Sequence, residues 1–283
     1  ESVKNGFASV SLNNKWGFVN IEGGNGIPCI YDGVGSFSDG LAPVAQNDKW
    51  GFVNTKGEVV IPIMYDDAWE FSEGLASVGQ NGLFGFINTE GKIVIPLVYE
   101  GTGNFFTEGV DYVVKNGKMG YINTKGETLV PFLYDALGKK FVEGYVVVVQ
   151  NDKWGVVNTQ GELVVPCIYD EIADFNNGLA RVSKGEKVGC INTKGEMVIP
   201  CNYDGFGIFT DGLAPAINNG KRGFVNIKGE VVIPYIYDAT RDFFDGLAWG
   251  LKDGVWQIIN TEGKVIVTDC VFNKTYWTRV KVE

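Results

Sequence analysis

Residues 71–100 read FSEGLASVGQNGLFGFINTEGKIVIPLVYE, and this stretch decides the fold. LASVGQ and LFGFIN are apolar runs of strand length, separated by Asn81-Gly82, a dipeptide that tolerates the positive φ of a two-residue hairpin turn. Asn88-Thr89-Glu90-Gly91 then suits a type I turn closed by a left-handed Gly, with the Asn side chain capping its own turn, and leads into IVIP. The stretch therefore spells three short strands joined by two turns. Side chains alternate along a strand, so in the equivalent KWGFVN the Trp, Phe and Asn share one face while Gly and Val share the other. Both faces are apolar. Such a layer must be covered above and below, which stacked neighbours can do and a single unit cannot.

Outward from this stretch the pattern recurs along the whole chain. The turn Asn stands at 20, 54, 88, 123, 158, 192, 226 and 260, spaced by 34, 34, 35, 35, 34, 34 and 34, with a Gly three residues after each. Pro follows eight residues after the anchor and Tyr eleven after in seven units, and an acid comes next to the Tyr. Pro removes a ladder donor and marks an edge or a strand exit. Gly after Trp is expected to let a neighbouring layer or the indole approach. The chain thus reads as one all-β domain over 1–283 with eight three-stranded units, approximately 1–37, 38–71, 72–106, 107–141, 142–175, 176–209, 210–243 and 244–272, followed by a capping strand at 273–283. The eighth unit loses the motif, with Gln257 for Gly, Thr268 for Pro and Val271-Phe272 for Tyr-Asp, and TYWTRVKVE reads as a surplus first strand. Degenerate ends suit an open β-solenoid; the alternative is a closed eight-bladed β-propeller.

Composition agrees. The chain has 283 residues, 45% of them apolar, enough for a buried core, and 39 Gly, which favours turns over long helices. A net charge of −10 repels phosphate backbones and anionic lipid, and the densest basic spots, Lys139-Lys140 and Lys221-Arg222, read as solvated turns. No nucleic-acid partner is expected. Five Cys cannot pair completely within one chain, so a reducing or anaerobic setting is favoured. Cys29, Cys167 and Cys201 share one repeat position with Ile63, Leu97, Phe132 and Tyr235 and read as small buried hydrophobes. No apolar run approaches the ~20 residues needed to span a bilayer, so no transmembrane segment is expected. Because the sequence begins at Glu1 rather than Met, the lack of a secretory region before the first repeat carries no weight about a leader.

The recurring Lys-Trp-Gly-Phe-Val-Asn at Lys15 and Lys49, and its Val variant at Lys153, resembles the WG or KWG repeat family of bacterial proteins, over nearly the whole chain. That resemblance implies a repeat scaffold with no defined chemistry. The hairpin is also similar to the cell-wall-binding repeats of choline-binding proteins, in which ligand sits between aromatic residues of adjacent hairpins, although here Gly follows Trp where those repeats carry a second aromatic.

The chain contains no His, which removes imidazole general bases, the triads built on them and His metal sites. No phosphate-cradle motif appears, and neither metal nor cofactor is expected. The acid column Asp32, Asp66, Glu100, Asp135, Asp170, Asp204 and Asp238 recurs once per unit, as turn-bonding structure does, whereas an active site is singular. Recognition is expected instead in the variable stretch between Tyr-Asp and Phe-x-[DE]-Gly, because repeated positions build the core. Trp69, Phe105, Phe206 and Trp249 are the candidate ligand-binding residues, with packing under their own loops as the competing reading. The expected function is a non-enzymatic scaffold or recognition module for a protein or glycan surface; the alternative is a carboxylate-dependent glycan-active enzyme.

Overall fold

The computed structural model describes residues 5–24 and 26–268. Every regular element among them is a strand, and the strands form eight small antiparallel sheets in chain order. No helix long and apolar enough to cross a membrane occurs among the described residues. The expected capping strand at 273–283 and the Val271-Phe272 departure lie outside the described residues.

The second sheet shows the plan. Leu41–Gln46 and Lys49–Asn54 pair in unbroken register from Leu41↔Asn54 to Gln46↔Lys49. Their turn, Asn47-Asp48, has φ of 53° and 58°, the left-handed values that Asn and Asp tolerate best after Gly. At the next turn the Asn54 side-chain oxygen accepts the amides of Lys56 and Glu58, both at 3.0 Å. Asn88, Asn123, Asn158, Asn192, Asn226 and Asn260 accept the corresponding pair in their own sheets.

The third strand, Val59–Tyr65, is an edge of the sheet and contains Pro62. The Pro therefore marks an edge, but the strand does not exit there; it runs on to Tyr65. Phe52 faces Ile61 and Trp50 faces Tyr65, so Pro62-Ile63-Met64 bulge against the single residue Gly51. A Cβ on Gly51 would stand 2.6 Å from the Ile61 carbonyl oxygen and 2.7 Å from the Ile63 nitrogen. The approach that demands Gly after the aromatic thus comes from the bulged strand of its own sheet, rather than from a neighbouring layer or the indole. Gln257 interrupts this column in the eighth sheet, and there the third strand shrinks to Val265–Val267.

Seven sheets gain a fourth strand of two residues, such as Gly33–Val34, which pairs with Ala45 and Val44. Residues 33–34 and 67–68, placed by sequence at the end of one unit, thereby open the next sheet. The stretch after them is a further two-residue turn: Ser38 and Leu41 exchange backbone hydrogen bonds of 2.9 and 3.0 Å around Asp39 (φ 50°) and Gly40 (φ 79°).

The cores lie between consecutive sheets. Phe52, Ile61 and Tyr65 of the second sheet meet Ala76, Val78 and Ile87 of the third, and Phe71 of the connecting turn closes the cluster with its ring 5.0 Å from that of Phe52. Phe37, Phe106 and Phe243 stand the same way over Phe18, Phe86 and Phe224. Full burial of each such Phe contributes about 1.5–3 kcal/mol.

The contacts group the chain into two compact units, Glu1–Cys167 and Ile168–Glu283, divided within the strand Leu163–Tyr169. The first holds the sheets spanning 7–31, 33–65, 67–99 and 101–134, and the second those spanning 171–203, 205–237 and 239–267. Cys190 is buried, which pushes its thiol up to about 11, and Cys29, Cys167 and Cys201 are half-buried; all four are free.

Candidate binding site

The acid column forms joints. Asp66 takes the Lys49 ammonium on Oδ1, and its Oδ2 accepts the amide of Asn81 in the next hairpin turn at 2.6 Å. Asp32, Asp135, Asp204 and Asp238 do likewise with Lys15, Lys118, Lys187 and Lys221 and the turn amides ahead of them. The lysine bond first, with help from the turn amide, holds these carboxyls below the usual carboxylate range. In the third sheet Leu83 replaces the Lys, and Glu100 accepts both Asn116 and Gly117 amides at 2.9 Å. A second row of joints links the Phe-x-[DE]-Gly turns: Asp39 accepts the Gly74 amide, Glu73 that of Gly109 and Asp211 that of Gly246, at 2.9–3.0 Å.

The residue before the strand Gly behaves differently from the core columns. Phe52 and Val53 have no exposed surface, yet Trp16, Trp50, Phe84, Met119, Trp154 and Trp256 are all half-buried. In the first unit this column builds a groove. A cleft of about 510 Å³ runs between Trp16 and Trp50 with Ser9 and Ser36 in its wall, and a second of about 280 Å³ runs on between Trp50 and Trp69 past Asp67. Gly35, Trp50 and Glu70 line both. A Cβ on Gly33 would stand 3.3 Å from Cη2 of Trp50, so that outer strand leaves room for the indole. Glu70 reaches back across the sheets, its Oε1 accepting the Ser36 amide at 3.0 Å; a Cβ on Gly35 would stand 2.9 Å from that oxygen. The Trp69 indole closes the far end, edge-on to Phe84 at 5.7 Å. Three indoles, two carboxylates and a hydroxyl-bearing wall offer flat apolar faces beside hydrogen-bond acceptors.

The WG containing repeat matches seven times in tandem, at residues 16–50, 50–84, 84–118, 119–154, 154–187, 189–221 and 223–256. The chain belongs to the WG repeat family. No curated protein matches this WG repeat chain. Among solved structures it is similar to a eukaryotic initiation factor, at 11% identity over 93% of this chain and 85% of that one, with a TM-score of 0.41. It is also similar to Hsv2p of Kluyveromyces lactis, at 13% identity over 69% and 74%, TM-score 0.34, and to the tricorn protease, at 12% over 93% and 34%, TM-score 0.30. These likenesses are too distant to carry anything further.

The WG repeat chain does not bring the four sequence candidates together. Trp69 lines the groove. Phe105 is 42% exposed, on the wall of a separate cavity. Phe206 is 7% exposed and packs against Tyr203 and Phe209 in the core, so it has almost no face to offer a ligand. Trp249 is half-buried in the eighth sheet, edge-on to Trp256 at 6.4 Å. Trp16, Trp50 and Glu70 were not legible as site residues, because a Trp repeated at strand spacing reads as core. The available signal was the column itself, which drifts from Trp to Phe, Met, Val and Arg (Val188, Arg222) while its neighbouring column stays Gly until Gln257.

Proposed function

We propose that this WG repeat scaffold is a non-enzymatic recognition module that binds glycan along the Trp16–Trp50–Trp69 groove. The observation that carries the reading is the continuous run of three partly exposed indoles with Glu70 between them and Asp67 beside Trp69. A pyranose ring has an apolar C–H face and a rim of hydroxyls; the face stacks on an indole and the rim donates to carboxylates, so successive sugars suit successive indoles. The acid column supports a binding role over a catalytic one: five of those acids are held by the same lysine and turn-amide partners, as joints are, and none of the column lines the groove.

The test is a glycan and cell-wall-fragment screen on the wild type beside Trp69→Ala and Trp50→Ala, with circular dichroism confirming the fold. A bound glycan whose affinity falls about tenfold or more in each folded variant is the expected result, the scale on which a buried aromatic anchor acts. Binding of no glycan by the wild type, or undiminished binding by both variants, rejects the groove. Release of shortened glycan on incubation rejects the non-enzymatic reading.

A further inference from the structure

The fourth sheet departs from the repeat at two buried positions. Asp111 stands in a column otherwise made of Ala8, Ala42, Ala76, Val146, Ala180, Ala214 and Ala248, and Tyr121 stands where Phe18, Phe52, Phe86 and Phe224 stand. The two 35-residue periods each add one residue between the Tyr and the Phe-x-acid-Gly turn, at Asn104-Phe105 and at Lys139-Lys140. These four departures, scattered in sequence, converge on one cavity of about 370 Å³, whose wall includes Asp111, Tyr121, Phe105, Lys139 and Lys140. A scaffold alone gives no reason for them to meet.

The wall carries charges of both signs. Asp111 is 4% exposed, and its Oδ2 has no hydrogen-bond partner. Its Oδ1 lies 2.1 Å, and the Tyr112 ring 2.8 Å, from the point where a Cβ on Gly103 would stand, so Gly103 is what lets carboxyl and ring sit side by side. An orphaned buried carboxyl oxygen is costly unless a donor reaches it, and the strongest donor is an ammonium group. Phe105, Tyr112 and Phe141 line the same cavity, and their rings suit a cation as well. The same wall carries Lys139 and Lys140, both exposed. A plain cation would meet two lysines, and a plain anion would meet Asp111 and Glu108.

We propose that this cavity binds a small zwitterion of the α-amino acid class, its ammonium directed to Asp111 and its carboxylate to Lys139 and Lys140. Oδ2 is itself buried, so the ligand's ammonium reaches it through a local shift of the residues that cover it. The volume is at the small end of ligand cavities, in keeping with a compact molecule. Burial lifts the empty-site carboxyl to about 7, against the Tyr112 and Gly103 amides that pull it down, so an arriving ammonium ionises Asp111 and expels its proton. This site is separate from the indole groove, and neither reading rests on the other.

The experiment is isothermal titration of the full chain at about pH 6.5 with the free L-amino acids, in buffers of different ionisation enthalpy. The expected outcome is saturable binding of at least one amino acid, with a Kd between about 1 μM and 1 mM, and release of a fraction of a proton. N-acetylation of that ligand, and Asp111→Asn, are each expected to weaken it about tenfold or more; the carboxamide ligand, and Lys139→Ala with Lys140→Ala, several-fold. The lysine variant lies on the surface and keeps the test open if Asp111→Asn unfolds. No binding of any free amino acid at about 10 mM, an N-acetyl derivative that binds equally well, or binding undiminished in both variants overturns the proposal.

Discussion

Asp111 in place of the column's alanine loads the core with a carboxyl that must stay protonated to remain comfortable there. Its folded value, about 7, stands above the ordinary carboxylate value, so the folded chain holds a proton that the unfolded chain has already shed. The associated stability is fully present below about pH 4 and is lost as the pH rises through about 7. Linkage puts that loss at about 4 kcal/mol. Asp111→Ala restores the residue of the neighbouring sheets and removes the titration; its loss of one side chain is small beside the loss of a buried charge. The variant is therefore expected to match the wild type near pH 4 and to exceed it at pH 8, with denaturant midpoints at the two pH values as the measurement. A variant less stable than the wild type at pH 8 would mean that the carboxyl has bonding partners that compensate its burial. Stability surrendered at one position of an otherwise regular repeat is what a ligand site looks like in energetic terms.

The joining elements are held by charge where the sheets themselves are held by packing. The depressed carboxyls of Asp32, Asp66, Asp135, Asp204 and Asp238 contribute stability that is fully present above the usual carboxylate range and is lost as pH falls from it through their depressed values, the opposite sense to Asp111. Each pair is exposed, so salt screens it. Asp66→Asn keeps an acceptor for the Asn81 amide but loses the lysine bond; it is expected to lower Tm modestly at neutral pH and low salt. That difference should shrink in about 1 M salt, where the Debye length is about 3 Å, and close once the pH falls below the depressed value of Asp66. An equal deficit under all three conditions would show that shape, not charge, makes the joint. These elements also show what the sequence discloses. The Asn-Asp and Asn-x-x-Gly turns, the strands of each hairpin and the stacked layers were legible because each carries a local rule: positive-φ residues at tips and period two between them. The strand Gly33–Val34 was not legible, since two residues display no period, and the turn Asp39-Gly40 was hidden because no apolar run of strand length precedes it. The groove was half legible: Trp69 broke the repeat and drew notice, while Trp16 and Trp50 were concealed by belonging to it.

At the scale of the molecule, the principal contacts between sheets join sequence neighbours, as they do for repeat arrays whose stability is a sum over units and their interfaces. The interface chemistry is also interchangeable. Cys190, Ile199 and Tyr203 of the sixth sheet lie on Ala214, Ala216 and Val225 of the seventh, while Phe224, Ile233 and Tyr237 of the seventh lie on Ala248 and Ile259 of the eighth. Excising residues 205–238, one full period, joins Asp204 to Ala239 and sets the sixth sheet's face against Ala248 and Ile259. The same cut leaves Lys187 on Asp204 and brings the Asp253 amide, which Asp238 accepts in the intact chain, to that acid in its place. Both the apolar contact and the joint are thereby rebuilt, so the shortened chain is expected to keep its β-sheet circular dichroism and to unfold in a cooperative transition at a lower Tm. Excising 221–238 instead removes the middle and outer strands of the seventh sheet and strands the pair Gly205–Phe206 and Leu213–Asn218 without a partner, which should abolish cooperative unfolding. If both deletions unfold the chain alike, each sheet depends on more than its neighbours, and the additive picture of this repeat fails.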